Sequence, residues 1–208
     1  VESRRLRRPE VNSLFKGVAD HLVIDPDEEV AEQVLKLMEY PGALDVARMV
    51  LVGKVNREIV SAINVHGVLA VGLSGEDASL IEASERNPDL GFVGDVAAVN
   101  PAILERVMAE DLIPVVATIG VDTAGQAYNI NSDTVAAALA GALGAERVMY
   151  LTDVDGLRSD FDDPDSRVSR LDVDALDALI SDGTVSGGMI PKAQACMDAV
   201  RAGVGSAH

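Results

Sequence analysis

One stretch constrains the fold more than any other: Tyr128 to Gly156, reading YNINSDTVAAALAGALGAERVMYLTDVDG. A polar turn bearing Asn129, Asn131, Ser132 and Asp133 runs into an Ala-rich helix, the helix into a β-branched strand from Val148 to Thr152, and the strand into an acidic turn that ends at Gly156. Helix followed by strand, each bounded by polar turns, is the repeating unit of an open α/β sheet. Ligands gather in such sheets where strands end and helices begin, and this segment supplies two of those edges. Both carry carboxylates.

The rest of the chain keeps the alternation. Val68 to Leu73 and Ile113 to Ile119 are short apolar runs of the kind that form buried parallel strands. Between them, residues 89 to 97 read as extended chain turning at Gly91 and Gly94, and Pro101 to Glu110 as a helix with proline in its first turn. Asp122 to Tyr128, with Gly125 in its middle, predicts a hairpin. Asp172 to Ile180 and Pro191 to about Arg201 predict two further helices, after which Gly205 to His208 heads into another strand. The acidic run from Asp160 to Asp165 reads as an exposed loop; it lacks the glycine and closing glutamate of an EF-hand, so no metal site is read there. Near the start, Arg4, Arg5, Arg7 and Arg8 read as a solvated tail, Leu22 to Ile24 as a brief strand, and Asp27 to Met38 as a helix with Val30, Val34, Leu37 and Met38 on one face. The pattern predicts an α/β protein: a three-layer αβα sandwich around a mostly parallel sheet.

The helix predicted from Ala43 to Ile63 is unusual. Val46, Met49, Val50, Val55, Ile59, Val60 and Ile63 make an apolar surface wider than one core-facing stripe needs, so the helix has two partners. The second is either more of the same fold or another subunit.

Composition removes several function classes. A net charge of -17, from 34 acidic and 17 basic residues, opposes general affinity for nucleic acid or anionic lipid. A phosphate site would then be local, built from backbone N–H groups and a few placed cations. Aromatic residues make up 3% of the chain and tryptophan is absent, which leaves no stacking platform for bases. The single cysteine, Cys196, cannot form an internal disulfide, which fits a reducing cytoplasm; among Ala193, Ala195 and Ala199 it reads as a small packed side chain. The histidines show no metal-ligand spacing, and neither a membrane-spanning run nor a signal peptide is read. A length of 208 residues suits one domain or two closely joined lobes.

Three blocks then carry a resemblance: Asn129-Ile130-Asn131-Ser132-Asp133 before the Ala-rich helix, Leu151-Thr152-Asp153-Val154-Asp155-Gly156, and Gly188-Met189-Ile190-Pro191-Lys192. Their order and spacing resemble the ATP half of the acetylglutamate kinases in the amino-acid kinase family. The likeness runs from about Pro41 to His208 and takes in Asp45 to Met49, Gly72 to Asp77 and Val93-Gly94. It implies that family's αβα fold, incomplete at both ends, with residues 1–40 of unclear relationship, a substrate and dimer lobe over 41–128 and a nucleotide-binding lobe over 129–208. It also implies transfer of the γ-phosphoryl group of ATP, with Mg2+, to the side-chain carboxylate of N-acetyl-L-glutamate, in cytoplasmic arginine biosynthesis. The enzyme would be a homodimer or higher homo-oligomer with the helix at 43–63 in its dimer interface.

The resemblance also assigns residues. Lys192 matches the lysine that stabilises the transferred phosphoryl group. On sequence alone it lies in the first turn of a helix, where the macrodipole disfavours a cation by up to about 1 kcal/mol, so either an anion shares the site or the lysine is solvated. Asp133 matches the aspartate that orients catalytic lysines, while its place before the helix also suits an N-cap. Asn129 matches the asparagine that contacts the acetylglutamate, and is equally a turn residue; Asn131 reads as a turn or supporting residue. Asp153, Val154, Asp155, Gly156, Leu157 and Arg158, with Thr184, Val185 and Ser186, match the segments that hold the nucleotide. Asp153, Asp155 and Gly156 read equally as a strand-ending turn. Magnesium would be held largely through the phosphates.

Three family elements have no counterpart here: an N-terminal glycine-rich turn with a second lysine, a His-Gly-Gly-Gly-Pro loop, and a substrate-gripping arginine at whose position Leu37 stands. The expectation is a chain that holds nucleotide better than it turns it over.

Overall fold

The computed structural model describes residues 41–152, 156–159, 163 and 166–208. The strand and helix expected before Pro41, residues Asp153 to Asp155 and most of the acidic loop lie outside them.

The first described helix is α1 (Pro41–Arg48), which continues through a π-helical stretch (Met49–Val55) into α2 (Asn56–Asn64). Its residues pack against the strands that follow, and two asparagines secure it there. Asn56 is buried, and its Nδ2 donates to the carbonyls of Leu73 at 3.2 Å and Val115 at 2.8 Å. Asn64 Oδ1 accepts from the backbone N–H of Leu69 and Ala70, holding the connection into the first strand. The helix comes so close at Gly72 that a Cβ there would stand 2.0 Å from Asn56 Oδ1. Only glycine allows that approach.

Strands β1 (Ala70–Ser74) and β4 (Ile113–Ala117) run parallel in register, with α3 (Ala102–Ala109) and α2 packed against them. Four further strands close on themselves: β2 (Ile81–Glu85), β3 (Val93–Val99), β5 (Ile119–Val121) and β6 (Ala127–Ile130), in the order β2-β3-β6-β5. Within that ring, β2–β3 and β5–β6 are antiparallel and the other two pairings parallel. The hairpin expected at Asp122 to Tyr128 is the β5–β6 connection, tied by Asp122 Oδ1, which accepts from the N–H of Ala124 and Gln126.

The predicted strand Ile113 to Ile119 divides. The chain leaves the first sheet at Ala117 and enters the ring at Ile119, while the Thr118 carbonyl accepts from the Ile130 N–H between them. Its first residue, Ile113, is 41% exposed rather than buried. The predicted strand beginning at Val68 starts instead at Ala70, leaving Val68 exposed.

After the ring come α4 (Ser132–Ala142), α5 (Val173–Ser181) and α6 (Met189–Arg201). Asp172 caps α5 as an extended residue whose Oδ1 accepts from the Ala175 N–H. Residues 148–150 pair in parallel with 206–208 through Val148 N–H to Ser206 O, His208 N–H to Val148 O and Tyr150 N–H to His208 O. The expected strand is therefore present in part. It pleats: Val148 points inward to Ala137, Ala140, Ala199 and Val204, whereas Met149 and Leu151 are exposed.

The largest core sits between ring and helices, around Leu80, Ile81, Leu104, Ile130 and Val135; a second joins Leu44 of α1 to Val93, Ile119 and Ala127. The expected α/β class holds, with parallel strands and packed helices, and the closed ring adds an antiparallel element to it.

Candidate functional site

The site forms where α4 and α6 begin. Asn131, with extended backbone at ψ 129°, caps α4: its Oδ1 accepts from the N–H of Asp133 at 2.9 Å and Thr134 at 3.1 Å. Asp133 is therefore not the cap. The helix starts two residues earlier than its sequence suggests, and one asparagine oxygen satisfies two of its orphan donors. That leaves the Asp133 carboxylate free at a helix N-terminus, where negative charge is stabilised.

Lys192 reaches that carboxylate from the other helix. Its Nζ lies 3.4 Å from Asp133 Oδ2, with side-chain exposures of 34% for the lysine and 19% for the aspartate. α6 begins at Met189, so Pro191 is its third residue and Lys192 its fourth. Lys192 is thus half-buried and faces the carboxylate of Asp133. A pair this open contributes at most about 1 kcal/mol to stability, so structure alone is a weak reason for placing charge here. An ammonium has three N–H donors; Asp133 engages one and leaves two for another anion.

Two titratable neighbours respond to the pair. Burial pushes the Cys196 thiol up; Asp133 adds to the rise and Lys192 opposes it. Burial also pushes the Tyr150 phenol well above its ordinary range, with Cys196, Asp133 and Asp198 adding to it. Both groups are held in their protonated forms at neutral pH.

Asn129 lies on β6, paired with Ile119 and Val93, and its N–H donates to the Phe92 carbonyl. Its side-chain amide makes no hydrogen bond among the described residues and stands four residues before Asp133 on the same strand-to-helix edge. Thr184, Val185 and Ser186 lead directly into α6. The Thr184 N–H donates to Asp182 Oδ1 at 2.9 Å, and hydrogen bonds from Thr184 hold the Asp182 carboxyl below its ordinary range. Val185 is buried, with its N–H donating to Leu179 O, while the Ser186 carbonyl accepts from Met189 N–H. Gly156, at φ +129°, is exposed; Leu157 O accepts from the Val168 N–H, and Arg158 bridges to Arg167 in a short antiparallel pairing. Asp153, Val154 and Asp155, named with them, fall outside the described residues. The structure thus brings Lys192 and Asp133 together, joins Asn129 to them along one edge, and leads Thr184 to Ser186 into the same helix.

Residues 15–208 match the family model described as amino acid kinase family. The chain belongs to the amino acid kinase family. The match begins well before Pro41, so it extends into residues for which motifs alone gave no kinship. The acetylglutamate kinase of Symbiobacterium thermophilum is 49% identical over 176 residues, covering 80% of this chain and 60% of that protein. The acetylglutamate kinase of a Nostoc species is 46% identical over 201 residues, covering 96% of this chain and 65% of that protein. The chain thus spans less than two thirds of the length of these relatives. Among solved structures, a Streptococcus mutans protein superposes with a TM-score of 0.73 at 25% identity, covering 82% of this chain and 68% of that one.

Sequence reasoning passed over two residues of this amino acid kinase's site. Asn131 carries the cap; the signal was present, since asparagine and aspartate are equally good caps and only the backbone dihedral decides. Tyr150 places its hydroxyl 3.2 Å from Ala195 O in α6 and 3.5 Å from Asp133 O in α4. A phenol within a β-branched run reads simply as strand packing.

Proposed function

We propose that this amino acid kinase acts as an acetylglutamate kinase, moving the γ-phosphoryl group of ATP to the side-chain carboxylate of N-acetyl-L-glutamate. The observation that carries the reading is Lys192 Nζ, 3.4 Å from Asp133 at the meeting of two helix starts. The similarity to the acetylglutamate kinases of S. thermophilum and Nostoc supplies the acceptor.

In this reading the bond between the β- and γ-phosphoryl groups breaks as a carboxylate oxygen bonds to phosphorus, giving an acyl phosphate and ADP. The protein's task is placement and charge. Asp133 holds Lys192, whose remaining N–H donors face the phosphoryl oxygens where negative charge accumulates. The amide of Asn129 meets the acceptor, while Gly156 to Arg158 and Thr184 to Ser186, together with Asp153 to Asp155, hold the nucleotide. Among the described residues no group of three or more carboxylate, histidine or cysteine side chains is placed to hold a metal ion. Mg2+ held on the phosphates would add positive charge there.

The division into a substrate and subunit-contact lobe at 41–128 and a nucleotide lobe at 129–208 belongs to the same proposal. Its boundary falls within β6, which links Asn129 to the ring. A homodimer through α1 and the π-helical stretch is supported by Val46, Met49 and Val50, which are 55%, 65% and 43% exposed. A cytoplasmic setting fits a lone reduced cysteine, and no described helix is long and apolar enough to cross a membrane.

The test is a coupled assay for ADP release with N-acetyl-L-glutamate, using glutamate, aspartate and carbamate as controls. Release with N-acetyl-L-glutamate alone is expected. Nucleotide binding without release would replace this reading with that of a non-catalytic relative, and release with another acceptor would change the substrate.

A further inference from the structure

The contact between α4 and α6 is made of very small residues. Ala137, Ala140 and Ala199 are buried in it, and at Gly141 a Cβ would come within 2.7 Å of the Ala202 Cβ. Alanine faces bring helices close but offer shallow ridges and grooves, so they resist sliding or rotation weakly. The Gly141–Ala202 approach fixes the far end of the pair. At the near end, where Asp133 and Lys192 stand, the fixing group is Tyr150.

Tyr150 enters from the extended segment between α4 and the loop beyond, packed against the same alanine cluster. Its hydroxyl is 3.2 Å from the carbonyl of Ala195 in α6 and 3.5 Å from that of Asp133 itself. One phenol proton serves one acceptor at a time, and the shorter contact is to Ala195. The ring therefore stands between the backbone of Asp133 and the turn of α6 that follows Lys192.

We propose that Tyr150 is a positioning residue: its hydroxyl holds α6 at the Ala195 carbonyl while the same oxygen stands against the Asp133 backbone at the start of α4, and so it sets where Lys192 stands relative to Asp133. Its consequence for rate rests on the phosphotransfer reading above; its consequence for geometry does not. Ala195 O and Asp133 O both lie in helices, where backbone N–H groups already use them. Removing the hydroxyl therefore orphans neither carbonyl, and the ring keeps its packing. The effect of Tyr150→Phe should thus appear in placement far more than in stability.

The chain carries its own reporter. Cys196 is the only cysteine, stands next to Ala195 on α6, and feels both Asp133 and Lys192. Tyr150→Phe is compared with the unmodified chain and with Val148→Ala, which loosens the same cluster without touching a hydroxyl. In Tyr150→Phe, kcat for ADP release should fall by about tenfold to a hundredfold with little change in KM for ATP, as expected when a charge is misplaced by a fraction of an ångström to 1 Å. Alkylation of Cys196 by iodoacetamide should become several-fold faster as the thiol leaves the field of Asp133. Val148→Ala should lower the melting temperature while leaving kcat and thiol rate nearly unchanged. Unchanged kcat and thiol rate in Tyr150→Phe, or equal losses in Val148→Ala, would overturn the assignment. If no variant and not even the unmodified chain releases ADP, the phosphotransfer reading fails, and the thiol rates alone decide the role of Tyr150.

Discussion

Two apolar helical surfaces in this chain are built in opposite ways. Between α4 and α6 the side chains are almost all alanine, the contact is closed within the chain, and it carries an ion pair at its open end. Along α1 and the π-helical stretch the side chains are large, and Val46, Met49 and Val50 remain exposed. Small residues gain little burial energy each, but they let two backbones approach until residues at the helix starts can meet. Large exposed residues gain nothing until a second surface covers them. The first arrangement brings Lys192 to Asp133, and the second leaves an apolar face that the proposed homodimer would cover.

The strongest way to break this contrast is at the ion pair. Lys192→Ala should lower kcat by about 10² to 10³, the cost of one preorganised donor to a transition state, while stability falls by less than about 1 kcal/mol. Steady-state kinetics and a denaturant titration on one preparation would check both. A large stability loss with unchanged kcat would place Lys192 in the scaffold instead.

Asp133→Asn should follow with a loss in kcat of about tenfold or more, because a neutral amide holds the lysine less firmly. Its stability should barely move, since Asn131 does the capping. Asn131→Ala should show the reverse, losing about 1 kcal/mol of stability. If the two variants exchange behaviours in kinetics and melting, the division of labour between these neighbours is wrong.

That division shows what was legible. Lys192 stood out because a cation in a helix's first turn calls for an explanation, whereas Asp133 read alone as a cap and was singled out by the family resemblance. The cap itself did not stand out, because Asn131 and Asp133 are chemically equivalent candidates two residues apart, which only the backbone dihedrals tell apart. Ile113 to Ile119 reads as one strand since nothing in its apolar run marks Thr118 as the point of exit; the break is imposed by the ring that Ile119 joins. Gly72 and Gly141 look like ordinary glycines until the side chains packed on them, Asn56 and Ala202, are known. The excess apolar surface on the first helix was legible for the opposite reason, because a wide apolar face shows in sequence periodicity alone, although what covers it does not.

That face supplies the next prediction. Met49→Glu should convert a homodimer to monomers, measured by light scattering, because a charge would have to be buried without a partner. The site contacts within each monomer should survive, so nucleotide binding persists. A monomeric unmodified chain would instead assign the apolar face to another use.

The smallest expected effect concerns pH, and it falls on only one of the two surfaces. Tyr150 and Cys196, both at the α4–α6 contact, hold their protons more tightly in the folded chain, chiefly through burial. A raised folded pKa means that the stabilising effect is complete below the unfolded value and is lost as pH rises past it. For the thiol that loss begins near about pH 8.5, and for the phenol near about pH 10. Tyr128, in the ring, is also raised by burial and by Asp122, so it contributes a further loss in the phenol range. The melting temperature should consequently fall from pH 8 to about pH 11, less steeply in Cys196→Ser at the start of that window and less steeply in Tyr150→Phe at its end, with Tyr128 leaving a residual slope in both. Met49→Glu should leave the slope as it was, since among the described residues none of the three raised groups lies on the first helix. Equal slopes in all four proteins would mean that the alanine contact opens before either group ionises, and that the two surfaces differ in packing alone.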